Sequence, residues 1–239
     1  MSDATDDLAA VAARRSSTWW LLSRLVTEAP LAPWLDELES VLASVGVDTG
    51  TPLGAESAAL LAALRDARAD GGGLTALAVD RTRLLAGVFQ DKDIPAPYET
   101  VALGDAMNTA RVLDVIDAYA DAGFEDLAAE LGPADYLGTE LRFMALLCFR
   151  EMEARRGDDA GMAPAWLQRQ QRFMDEHLLA WVPGHCERLA ARAATPYYAA
   201  LSRLLAQACR VDREGLAALM QAAPAASGAQ GAARLEPTP

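Results

Sequence analysis

Two histidines (His177 and His185), three cysteines (Cys148, Cys186 and Cys209) and one lysine (Lys92) limit the chemistry this chain can perform. The histidines stand eight residues apart and neither follows a glutamate by three, which excludes an HExxH zinc site and the ExxH element of carboxylate-bridged di-iron bundles. The cysteines form no CxxC pair and no cluster with histidine, so they read as reduced, buried thiols. No GxGxxG occurs, and Lys92 lacks the glycines of a phosphate-binding loop. His185, Cys186 and Glu187 adjoin, but helical neighbours diverge by about 100° and cannot all face one pocket. A dispersed serine–histidine–acid site is compatible with the sequence, although nothing resembles a nucleophile elbow. The expectation is a non-enzymatic protein with no catalytic residue, no metal and no cofactor.

Two charged residues stand where helices should be apolar. Glu140 projects among Tyr136, Phe143, Met144, Leu147 and Cys148, and Arg15 among Leu8, Val11, Trp19 and Leu22. A buried charge costs several kcal/mol unless it is paired and hydrogen-bonded. Each is therefore expected to be buried with a partner, and each is a candidate partner for the other. Two readings stay open: an internal pair that fixes helix register, or a polar floor to a binding groove.

The elements that must carry these residues are helical. Alanine (51) and leucine (34) exceed a third of the 239 residues, while isoleucine, valine and threonine together supply 26, too few for a large sheet. Helical periodicity predicts segments over 7–28, 34–45, 55–69, 74–88, 105–121, 134–155, 164–181, 184–193, 196–209 and 212–222. Gln90 to Glu99, with Pro95 and Pro97, reads as an ordered connector or binding loop. The fold expected is all-α, a single-domain bundle of about nine to ten helices over residues 1–222, followed by a disordered tail over 223–239.

Charge narrows the partners. Asp plus Glu number 34 against 21 Lys plus Arg, a net −13, and no basic run exceeds two residues, so a nucleic-acid partner is excluded. An acidic protein suits a basic partner. Arg14-Arg15-Ser16-Ser17-Thr18 before Trp19-Trp20-Leu21-Leu22 superficially resembles a twin-arginine export signal, but Ser23 and Arg24 cut its apolar run after four residues. No stretch approaches the ~18 apolar residues of a membrane span. A cytoplasmic location without membrane insertion is expected.

The segment Gly132-Pro133-Ala134-Asp135-Tyr136-Leu137-Gly138-Thr139-Glu140-Leu141-Arg142-Phe143-Met144 resembles the Pro-x-Asp-His-x-x-x-Glu-Leu-x-Phe-Met signature of the TorD/DmsD/NarJ-like chaperones. Pro97-Tyr98-Glu99-Thr100-Val101 resembles the Pro-Tyr-Glu-Ser-Val element upstream in that family. Phe173, His177-Leu178, Trp181-Val182-Pro183 and Pro196-Tyr197-Tyr198 are similar to its C-terminal half. One residue departs from the pattern: Tyr136 stands where the family usually has histidine, and tyrosine carries no positive charge near neutral pH.

The resemblance implies a chaperone that binds the twin-arginine leader, or the apo form, of a molybdopterin oxidoreductase's catalytic subunit, delaying export while cofactor is inserted. The expected contact residues are Pro97, Tyr98, Glu99, Pro133, Asp135, Tyr136, Glu140 and Arg15. Asp91, Asp93, Glu99 and Asp135 are expected to form an acidic rim for the leader's basic end, with Asp135 also a candidate N-cap. Monomer and homodimer stay open. The alternatives are a helical adaptor that binds a folded partner without a leader and, more distantly, an enzyme with Glu140 as a buried acid.

Overall fold

In the computed structural model, residues 2–29, 32–45, 50–85, 95–104, 109–157 and 159–222 are described. The expected helices are α1 (Ser2–Thr27), α2 (Ala32–Val45), α3 (Pro52–Ala69), α4 (Gly73–Leu85), α6 (Thr109–Ala120) and α8 (Leu137–Arg156). Two single turns, α5 (Glu99–Ala102) and α7 (Leu127–Leu131), sit between them, so the expected connector over Gln90 to Glu99 gives way to a helical turn at Glu99. Then follow α9 (Ala163–Phe173), a π-helical turn (Met174–Leu178), α10 (Leu179–Arg192) and α11 (Pro196–Ala222). No strand is present among the described residues, and one continuous core joins the helices. The tail expected over 223–239 lies outside the described residues.

Two predicted interruptions do not occur. Pro183 lies inside a helical run that extends unbroken from α9 through the π turn and α10. The break expected near 210–211 is absent too, and α11 continues through it. A proline removes one ladder donor, but Trp181, Val182, Cys186 and Leu189 bury their side chains only if the helix continues.

The long helices pair because their small and apolar stripes match. α1 buries Ala12, Trp19, Leu22, Leu25 and Val26, and its serines grip α8: Ser16 Oγ donates to the Ala145 carbonyl at 2.9 Å and Ser23 Oγ to that of Gly138 at 2.8 Å. Gly138 is required by this approach, since a Cβ there would lie 2.3 Å from Thr27 Cγ2. α11 packs across α10 and α3. The C-terminal carbonyls of α1 are capped by Arg81, which donates to Val26, Thr27 and Glu28. An aromatic chain of Tyr119, Phe143 and Phe173 then locks α6, α8 and α9 together, with centroids 4.4 and 4.7 Å apart, and continues to His177 at 4.8 Å.

Candidate functional site

Two segments distant in sequence meet here. Tyr98 and Tyr136 form an isolated antiparallel bridge. Glu99 N donates to the Asp135 carbonyl and Leu137 N to the Pro97 carbonyl, each at 2.9 Å. The two tyrosine rings lie 5.5 Å apart. Gly132 makes the entry possible: its φ of 106° is in the left-handed region that glycine tolerates, and it ends α7 just before Pro133. Tyr119 Oη, donating to the Ala134 carbonyl at 2.8 Å, anchors the second segment to α6.

Beneath the bridge lies a polar interior. Glu99 is fully buried; its Oε1 accepts from Arg111 Nη1 at 3.2 Å and its Oε2 lies 3.0 Å from His177 Nδ1. Asp135, also buried, accepts from Thr100 Oγ1 at 2.6 Å and from Thr100 N at 3.4 Å. Glu140 accepts from Trp181 Nε1 at 3.0 Å through one oxygen, and its other oxygen has no hydrogen-bond partner among the described residues. Burial, then the nearby Glu99 charge, pushes the Glu140 carboxyl well above its usual range against the opposing pull of Trp181, and Asp135 adds to the rise. His185, behind Trp181, is buried with neither ring nitrogen hydrogen-bonded, and burial pushes its pKa down to about 3, with Arg188 adding to the effect.

The expected site residues therefore divide. Pro97, Tyr98, Glu99, Pro133, Asp135, Tyr136 and Glu140 belong to this one region. Pro133 is exposed and the two tyrosines are half-buried, whereas Glu99 and Asp135 face inward and form no acidic rim. Asp91 and Asp93 lie outside the described residues. Asp135 does not cap α8, whose N-cap is Tyr136 and carries no side-chain cap bond; the competing acceptor role toward Thr100 wins. Arg15 joins a separate cluster, with Nε 2.6 Å from Asp212 Oδ1 and Nη1 3.3 Å from Glu151 Oε2. Arg15 and Glu140 are thus not partners of each other.

Two further features adjoin the helices. An apolar groove of about 520 Å³ runs between α1, α2, α3 and α11, lined by Leu21, Leu22, Leu42, Leu53 and Leu204 with Arg14 at its edge. An open hollow of about 470 Å³ lies between α6 and the π turn, lined by Asp114, Asp117, Asp121 and Glu176 together with Arg111, Arg172 and His177. The sequence reading missed this hollow. Its signal was the aspartates at i, i+3 and i+7, which share one helical face. Among the described residues no group of three or more His, Cys, Asp or Glu could hold a metal ion, and no helix is long and apolar enough to cross a membrane.

Comparisons with known proteins identify the family. The family described as nitrate reductase delta subunit matches residues 49–187. A chaperone protein TorD from Aeromonas salmonicida is 32% identical over 207 residues, which cover 85% of this chain and 80% of the relative. A chaperone protein TorD from Photobacterium profundum is 27% identical over 118 residues, covering 48% and 53%. One from Vibrio cholerae is 26% identical over 132 residues, covering 55% and 59%. No solved structure matches the chain at a comparable level.

Proposed function

This chain belongs to the nitrate reductase delta subunit family, and from that premise we propose that it is a cytoplasmic chaperone for the catalytic subunit of a molybdenum enzyme. It binds the subunit's twin-arginine leader, holding it from export while the cofactor is inserted. The observation that carries the reading is the Tyr98–Tyr136 bridge, which joins the two family-like segments at one half-exposed surface. Binding residues concentrate on such connecting segments. Pro133, Tyr98 and Tyr136 offer apolar area, the tyrosines with hydrogen-bonding tips, while Asp135 on Thr100 and Glu99 on Arg111 and His177 tie the segments down behind them. The net charge of −13 supplies a long-range attraction for a basic leader.

Two energetic terms follow. Attraction to the leader's arginines speeds association and is screened beyond ~8 Å at physiological ionic strength. Burial of the leader's apolar run supplies most of the affinity and resists salt. The test is calorimetric titration of a synthetic leader against wild type, Tyr98→Ala and Tyr136→His at low and high salt. Weaker binding by folded Tyr98→Ala, with only partial loss in high salt, is expected. Tyr136→His restores the residue usual in the family and should retain binding. Equal affinity for wild type and Tyr98→Ala removes the bridge from the site, and no binding of any leader favours the adaptor reading.

A further inference from the structure

The hollow between α6 and the π turn has a distinct chemical character. Asp114 and Asp117 stand on one stripe of α6, and Glu176 faces them from the π turn. All three are exposed, and none has a polar partner among the described residues. Asp121 on the same stripe accepts from Arg172 at a long 3.4 Å. His177 lines the hollow although it is only 5% exposed. Its Nδ1 faces Glu99, which also receives Arg111 and so serves as the acceptor. Nδ1 therefore donates to Glu99, and Nε2 is the ring's other polar atom.

Arg111 and Arg172 also line the hollow, turned to Glu99 and Asp121, while Asp114, Asp117 and Glu176 present only acceptors. Its occupant must bring positive charge and several N–H donors. A metal does not fit, because no three ligands converge among the described residues. A lysine ammonium is a compact point charge, whereas a guanidinium spreads five donors in a plane and can meet two carboxylates at once. On the neighbouring stripe of α6, Leu113 and Ile116 are 54% and 36% exposed, which places apolar surface beside the acids.

We propose that this hollow seats the paired arginines of the client leader, with Asp114, Asp117 and Glu176 binding guanidinium and His177 Nε2 accepting from it. Leu113 and Ile116 then receive the apolar residues that follow. The inference rests on the leader-binding reading above and locates the basic half of that ligand. Glu99 couples the two places, since its backbone belongs to the Tyr98–Tyr136 bridge and its carboxylate orients His177.

The probe is a labelled synthetic peptide with an Arg-Arg pair before an apolar run, together with Lys-Lys and Gln-Gln versions, followed by fluorescence anisotropy. The proteins are wild type and Asp114→Asn/Asp117→Asn, a change at two exposed, unpartnered positions that leaves the fold intact. The double variant should bind the Arg-Arg peptide on the order of tenfold more weakly and the Gln-Gln peptide no differently from wild type. The Lys-Lys peptide should fall between the two. With ¹⁵N-labelled histidine, the His177 Nε2 resonance should move on adding the Arg-Arg peptide while His185 stays still. If wild type and the double variant bind Arg-Arg equally while Gln-Gln weakens both, the hollow is not the arginine seat and leader binding survives. If the Arg-Arg peptide binds neither protein, leader recognition itself falls.

Discussion

Arg15 and Glu140 look alike in the sequence, each a lone charge on an apolar helical stripe, yet their surroundings are opposite. Arg15 is met by Asp212 and Glu151, while Trp19 Nε1 also donates to Asp212 at 3.2 Å. Glu151 in turn receives Arg155 at 2.8 Å and Gln170 at 3.0 Å. That cluster is paired throughout and ties α1, α8 and α11 in register. Glu140 has a single donor and two other buried carboxylates, Glu99 and Asp135, in its neighbourhood. A network completed by opposite charges stabilises the fold, while one crowded with like charges stores a cost that the rest of the protein must offset. The second kind lies under the paired motifs, where consistency between local chemistry and fold is expected to break down for functional reasons.

Four measurements break or sharpen this contrast. Arg15→Leu should be the most damaging, because it leaves the largely buried Asp212 without a cation and Glu151 with Arg155 alone; urea unfolding should show a loss of ~3–5 kcal/mol. A loss under ~1 kcal/mol would mean the two clusters are energetically alike. Glu140→Gln keeps an acceptor for Trp181 and removes the titration. With its folded pKa raised, Glu140 contributes stability that is full below the unfolded value near ~4.3 and declines as pH rises toward the folded value. The glutamine variant should therefore be the more stable protein at pH 8 and lose that advantage toward pH 4, read from melting temperatures across pH.

His185 shifts the other way, to about 3. Its contribution is present above the unfolded value near ~6.5 and is lost as pH falls, since the unfolded chain takes up the proton first. His185→Leu should flatten the acid limb of the stability profile between those values. The smallest effect belongs to Arg203, whose guanidinium is 49% exposed and pairs with Glu56 at 3.0 Å. Arg203→Ala should change unfolding free energy by less than ~1 kcal/mol and sets the baseline for a surface pair.

The helices were legible because their apolar spacing is local information. So was the burial of Arg15 and Glu140, which follows from each residue's own stripe. What the spacing left hidden was partnership: Asp212 lies 197 residues from Arg15, and Trp181 lies 41 from Glu140. The same limit explains Asp135, whose place before α8 suggested a cap while Thr100, 35 residues earlier, claims its carboxylate. Pro183 misled because a local breaker was weighed without the buried residues on either side of it. The two motifs were recognisable by type and order, but their joining through Tyr98 and Tyr136 required the folded backbone.

Glu99 also sets a schedule for biosynthesis. Its partners come from Arg111, the Asp135 carbonyl and His177, so each is translated after it and in that order. At about 5–20 residues per second, the stretch from Tyr136 to His177 takes the ribosome about 2–8 s. During that interval the two tyrosines can already pair, but the carboxylate beneath them still lacks its imidazole. The Glu99 network is thus completed only after α9 and the π turn have left the ribosome, and an N-terminal fragment ending before them would carry both motifs without it.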